Sequence, residues 1–243
     1  MQTKTAAVVI IGNEILTGKT QDANAHFLIR ELHDLGVALR RIVMIPDEVP
    51  EIATAVRDCS GRFDYVFTSG GVGPTHDDVT IEGIAAAFDR PIVRHPGLVA
   101  VIRDTFGSAT EESHLRMADA PQGSELIYAA TTVWPVLVTV NVYILPGVPR
   151  IFCDKFAAIR ERFRAAPYHT GAVITREDEF NLAGRLNQVA AMNPGVSIGS
   201  YPSFESGDYH VKITIEANED ETFKRARGLL LKLLDPASIV RSE

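Results

Sequence analysis

Two adjacent carboxylates, Asp77 and Asp78, follow three closely spaced glycines, Gly70, Gly71 and Gly73, in the stretch Thr68-Ser-Gly-Gly-Val-Gly-Pro-Thr-His-Asp-Asp-Val-Thr80. Glycines at this spacing admit backbone dihedrals closed to other residues and leave main-chain N–H groups bare to a ligand. Such a turn suits a phosphate. A helix starting near Val79 would aim its free N–H groups and positive dipole end at the same place. The two aspartates would repel that phosphate, and a divalent cation such as Mg²⁺ resolves the conflict, since it binds through one or two carboxylates plus phosphate oxygens. The plainer alternative makes one aspartate an N-cap and the other a surface charge. A cap uses only one of them and leaves the glycines, Thr75 and Thr80 without a role. His76 or Glu14 could assist proton transfer, although His76 could equally face solvent beside the cap.

The elements around the motif read as an alternating pattern. Residues 6–11, Ala-Ala-Val-Val-Ile-Ile, are apolar on both faces and read as a central parallel strand, ending in the loop Gly12-Asn-Glu-Ile-Leu-Thr-Gly18. Asp22 then caps a helix through 35, with Ala25, Leu28, Ile29, Leu32 and Leu35 on one face and Gly36 as its stop. Residues 37–45 give a second strand closed by Pro46-Asp-Glu48, 50–59 a second helix, 64–68 a third strand, and 81–88 the helix after the motif. This order predicts a mostly parallel sheet with helices on both faces, in which ligands bind outside the carboxyl ends of strands. Three polar loops, carrying Glu14, Asp47 and the glycine-rich turn, would meet at that edge.

Farther on, helices are predicted at 96–106 and 111–118, and strands at 124–129 and 137–145, joined by a connection containing Trp134 that reads as a packing aromatic. The second strand runs into Pro146-Gly-Val-Pro149, a rigid turn before a helix over 150–164. That turn is either plain punctuation or another wall of the pocket. From 167 the pattern changes to βαββαβ, which predicts a small ferredoxin-like α+β unit. The chain thus divides into 1–166, carrying the site, and 167–243, read as support or oligomerisation.

At 243 residues with 46% hydrophobic and 23% charged residues, the composition is that of a globular protein with a real core. The formal charge, 24 − 31 = −7, argues against a general nucleic-acid or membrane-surface binder. Cys59 and Cys153, each in a predicted helix, indicate neither a disulfide framework nor a thiolate metal site, which fits a reducing cytoplasm. The first apolar run is too short for a signal peptide, and the longest, 133–145, is interrupted by Pro135, Thr139 and Asn141. His33 and His114 lie in helical patterns without partner ligands at metal spacing. Arg225, Arg227 and Lys232 read as a solvated helix face.

The 68–80 stretch, with Gly12-Asn-Glu-Ile-Leu-Thr-Gly18 and Asp22-Ala-Asn24, resembles the molybdopterin-binding domain family of MoaB, MogA and CinA over roughly residues 5–165. The segments Val43-Met-Ile-Pro-Asp-Glu48, Gly73-Pro-Thr-His-Asp-Asp-Val-Thr80, Trp134 to Pro149 and Gly199-Ser-Tyr-Pro202 are closer to the molybdopterin-binding-like N-terminal region of eukaryotic-type FAD synthases. The resemblance implies a molybdopterin-binding-type fold, usually a homo-oligomer, with Asp47, Asp77 and Asp78 among the site carboxylates and Glu14 nearby. It implies that Gly70, Gly71, Gly73 and Thr75 hold a phosphate. The resulting candidate contacts are Gly12, Ser69, Gly70, Gly71, Gly73, Thr75, Thr80, Pro146 and Gly147, with Asp77 and Asp78 on the metal.

The molybdenum-cofactor branch of that family transfers adenylyl groups to a pterin phosphate or binds the pterin, whereas CinA-like and FAD-synthase-like members are associated with metal-dependent cleavage of dinucleotide pyrophosphates such as ADP-ribose or FAD. The expected activity here is the latter, a divalent-metal-dependent pyrophosphatase. The alternatives are a molybdopterin or nucleotide-binding module without turnover and an adenylyl-transfer protein. CinA-like chains carry Gly-Thr-Ala-Pro-Gly where this chain has Ala130-Thr-Thr-Val-Trp-Pro135, so their substrate contacts there are not carried over. FAD synthesis is not expected, because no reductase-like domain is seen in these residues.

Overall fold

Strand β1 (Thr5–Ile11) is buried from Ala6 onward, and its alternating side chains feed two separate cores. Ala7, Val9 and Ile11 pack on one face with Ile52 and Val56 of the later helix Val49–Arg62, while Ala6, Val8 and Ile10 pack on the other with Leu28 and Leu32. That two-faced burial requires helices on both sides of the sheet. The computed structural model describes residues 3–203 and 207–243. It divides into two units, Met1–Ala165 and Ala166–Glu243.

In the first unit β1 is followed by the short α1 (Asn13–Leu16), α2 (Asn24–Asp34), β2 (Ala38–Ile45), α3 (Val49–Arg62), β3 (Tyr65–Ser69) and α4 (Thr80–Ala87). Next come β4 (Ile92–Arg94), α5 (Pro96–Phe106), α6 (Glu112–Arg116), β5 (Asp119–Pro121), β6 (Glu125–Ile127), β7 (Val136–Thr139), β8 (Val142–Leu145) and α7 (Pro149–Ile159). The main sheet has the order β2-β1-β3-β8-β7-β6, and its first four strands run parallel. This is the mostly parallel, helix-flanked sheet that the sequence predicts.

Three local expectations need correction. Ile29 leaves the buried face of α2 and is 43% exposed, its place taken by the half-buried Phe27, which meets Phe152 and Phe156 edge-on. The run 137–145 is not one strand: Val140, at φ 59°, and Asn141 make a two-residue turn, so β7 and β8 form an antiparallel hairpin. Glu14 sits in α1 and not in an irregular loop.

Helix α4 lies close on α3. A Cβ added to Gly83 would stand 2.3 Å from Ile52 Cγ2, so the missing side chain is what allows the approach. On the opposite face, Phe67, Phe152, Phe156 and Phe163 are fully buried; Phe67, Phe156 and Phe163 meet one another through edge-on and stacked rings, and Phe152 meets Phe27 edge-on. Truncating any of them would cost about 3–5 kcal/mol.

The second unit comprises β9 (His169–Thr175), α8 (Glu179–Met192), β10 (Val196–Pro202), β11 (Val211–Ala217), α9 (Asp220–Leu233) and β12 (Ile239–Ser242). Its sheet has the order β10-β11-β9-β12, every neighbouring pair antiparallel. This is the split βαβ arrangement of a ferredoxin-like unit. Val173, Ile213 and Ile215 of the sheet bury against Leu182, Val189, Ala226 and Leu230 of the helices. No helix among the described residues is long and apolar enough to cross a membrane.

Candidate functional site

The four parallel strands β2, β1, β3 and β8 end side by side, and each is followed by a segment containing predicted site residues. Asp47 follows β2, Gly12 and Glu14 follow β1, the 70–73 turn follows β3, and Pro146 with Gly147 follows β8. Their backbones are tied together: Gly12 N–H donates to Ile45 O at 3.1 Å and Gly70 N–H to Leu145 O at 3.3 Å.

The glycines are required by this crowding. Gly70 has φ 103°, and a Cβ there would stand 2.1 Å from Ile11 O. Gly71, at φ 63°, would press on Thr80 Oγ1 at 2.3 Å. Thr80, first residue of α4, closes the turn from below: its N–H donates to Gly71 O at 3.0 Å and its hydroxyl to Gly70 O at 2.9 Å. Asn24 does the same across strands, its Nδ2 donating to Ser69 Oγ and to Gly147 O, both at 2.8 Å. Asn24, Ser69 and Thr80 are thus buried supports of the turn.

Beyond Gly73 the loop folds on Asp78, whose carboxylate accepts from the Thr75 N–H at 2.9 Å and from the Thr75 hydroxyl. A Cβ on Gly73 would stand 2.6 Å from that carboxylate. Asp77 is exposed, and hydrogen bonding with the Thr75 side chain, followed by its own backbone N–H, holds its carboxyl below the usual range. Asp47 accepts from Asn13 N–H at 2.8 Å. Its pKa is nevertheless raised, first by desolvation and then by the neighbouring charges of Glu14, Asp77 and Asp78. Asp47 therefore feels three other carboxylates at this edge, and no lysine or arginine among the described residues forms an ion pair with any of the four.

A cleft of about 710 Å³ opens over the turn. Of the predicted residues, Glu14, Gly70, Gly71, Gly73, Asp78, Pro146 and Gly147 line it. Gly12, Asp47, Ser69, Thr75, Asp77 and Thr80 stand behind or beside that lining. The 146–149 turn is accordingly a cleft wall as well as a break before α7.

Among the lining residues that the sequence reading did not single out, one is a half-buried lysine. Lys155, on α7, donates from Nζ to Trp134 O at 3.0 Å and Pro135 O at 2.7 Å, and burial pushes its pKa down to about 8. The signal was its spacing: it falls three residues after Phe152 and one before Phe156, at the edge of the buried stripe. His33 lies beside Asp34, and His114 stacks on Phe106 while accepting from Glu111 N–H.

Residues 7–165 match the family described as probable molybdopterin binding domain, and residues 167–243 match the FAD synthase middle domain. A probable FAD synthase of Caenorhabditis elegans is 37% identical over 96% of this chain and 50% of its own length. A protein of Archaeoglobus fulgidus is 36% identical over 94% of this chain and 97% of its own. The chain spans about half the length of the nematode relatives it matches. The crystal structure of the protein CinA from Thermoplasma acidophilum, 33% identical, covers 67% of this chain and 100% of that one with a TM-score of 0.61. With its glycine turn, strand-end carboxylates and parallel sheet falling within the matched region, the chain belongs to the molybdopterin-binding domain family and carries an FAD synthase middle-domain segment behind it.

Proposed function

We propose that the N-terminal unit binds a phosphate-bearing pterin or nucleotide and cleaves a dinucleotide pyrophosphate of the FAD or ADP-ribose type. The observation that carries this reading is the set of four carboxylates without a basic ion-pair partner, gathered beside a glycine turn at the ends of parallel strands. Backbone N–H groups of the turn would take phosphate oxygens and be in place, without reorganisation, as charge develops on them.

An all-oxygen donor set fits a hard divalent cation, which would also offset the neighbouring charges that add to burial in raising Asp47. Asp77 and Asp78 would hold it, with Asp47 and Glu14 close by. Among the described residues no group of three or more His, Cys, Asp and Glu side chains forms a metal site, so phosphate oxygens and water would complete the coordination. Such a cation supplies polarisation of a phosphoryl oxygen and a more acidic bound water. Glu14 lines the cleft, which supports a role for it as proton acceptor in this reading. The homo-oligomer implied by the resemblance belongs to this reading, and sedimentation of the purified chain tests it.

Incubation with FAD, ADP-ribose and NADH, each with Mg²⁺ or Co²⁺, tests the chemistry. Release of mononucleotides is expected, and Asp78→Asn, which keeps an acceptor for Thr75, should lower it by about a hundredfold or more. If none of the three is hydrolysed with metal present, the pyrophosphatase reading fails. Ligand-dependent thermal stabilisation with the ligand recovered intact would then identify a binding module.

A further inference from the structure

Away from the glycine turn the cleft becomes apolar, walled by Leu98, Met117, Trp134, Leu137, Ile144 and Ile151. Lys155 is set into that wall. An ammonium has three donors, and two are taken by the Trp134 and Pro135 carbonyls, which leaves one. Arg116, the other basic residue of the lining, faces Glu82 at 3.8 Å, whereas no carboxylate among the described residues pairs with Lys155. Burial lowers its pKa to about 8, so it stays mostly charged at neutral pH.

A cation in this setting suits an uncharged acceptor oxygen. A phosphate already has the glycine turn, and a carboxylate partner is absent. The spacing agrees: Trp134 and Pro135 precede β7, two strands along from β3 in the order β3-β8-β7, and Leu137 pairs with Ile144 near the end of β8. Two strand spacings are about 10 Å, a span comparable to that of a nucleotide from its phosphate to the far edge of its ring.

We infer that Lys155 reads the ring of the ligand, donating a hydrogen bond to a carbonyl oxygen of a flat oxo-substituted heterocycle whose phosphate lies on the 70–73 turn. The inference rests on the phosphate reading above. It makes Lys155 a specificity residue that favours oxo rings over amino rings, independently of turnover.

Calorimetric titration with IMP, AMP, FMN and ring-free pyrophosphate tests it, since IMP and AMP differ at one position, oxo against amino. The native protein should bind IMP about tenfold more tightly than AMP. Lys155→Met should weaken IMP and FMN by about tenfold and move AMP and pyrophosphate by less than about twofold. Lys155→Gln keeps an N–H donor and should retain part of the preference; it and the native IMP-to-AMP ratio decide the matter if the methionine variant does not fold. Equal binding of IMP and AMP by the native protein, or uniform weakening of all four ligands in Lys155→Met, overturns the assignment. Pyrophosphate binding with no ring preference removes the lysine and leaves the phosphate reading standing. An intact ring preference without pyrophosphate binding overturns the inference together with the phosphate reading on which it rests.

Discussion

In the second unit Glu177 meets the Arg185 guanidinium, the Asp235 N–H at 3.0 Å and the Ser238 hydroxyl at 3.2 Å; in the first unit Asp47 meets one N–H and the repulsion of three carboxylates. The results are opposite. Burial pushes both groups up, but around Glu177 the hydrogen bonds, led by that from Arg185, outweigh it and leave the pKa lowered. Around Asp47 the single Asn13 bond does not, and the pKa stays raised. The comparison separates charge satisfied within the fold from charge that the surrounding residues leave in conflict. The small unit satisfies its half-buried acid internally, whereas the parallel unit gathers acids at one sheet edge and, among the described residues, leaves the half-buried Lys155 ammonium without a carboxylate.

Four substitutions can break or sharpen that contrast. The largest effect is expected from Gly70→Ala, where a methyl meets Ile11 O and the backbone lies at φ 103°; a loss of about 3 kcal/mol or more should be visible in denaturant unfolding. Gly184→Ala, inside α8 with nothing within 4 Å of its added Cβ, should instead stabilise by about 0.5–1 kcal/mol. If both glycines tolerate alanine equally, the turn is not held as described.

Next in size, Arg185→Met should cost about 1–2 kcal/mol at neutral pH, a figure reduced for the partial exposure of the pair. The sign with pH follows from the lowered pKa of Glu177. Its contribution is present above the unfolded carboxylate value and is lost as pH falls through the folded one, so acid unfolding should be shallower in the variant.

Smallest is Asp47→Asn, whose amide oxygen can still accept from Asn13. Because the folded pKa of Asp47 is raised, the native state binds the extra proton just above the unfolded value, and stability falls as pH rises through that window. The variant should therefore melt slightly higher than the native protein at pH 7 and equally at pH 3. A lower melting temperature at pH 7 would mean that the carboxylates are not in conflict.

Much of this was legible in the residues. Doubly apolar runs such as 6–11 admit only a covered strand, and the glycines of 70–73 declared a turn, because a side chain has nowhere to go there. The β7–β8 hairpin was hidden because Val140, a β-branched residue, sits in the left-handed region where glycine or asparagine is the usual sign. The β4–β5 pair was missed because β4 has three exposed residues and β5 ends in Pro121, so neither shows an apolar alternation. Lys155 was missed because a lysine in an amphipathic helix reads as solvent-facing. Only the fold shows that the carbonyls before β7 come round to meet it.

The contact between Gly83 and Ile52 carries a consequence for the site that no polar group reveals. Since α4 rests directly on α3 there, one missing methyl gauges how far the first residue of α4 stands from the sheet. Thr80 reaches the Gly70 carbonyl because of that clearance. Dimensional control of the glycine turn is thus exercised one helical turn downstream, by a residue with no chemistry of its own.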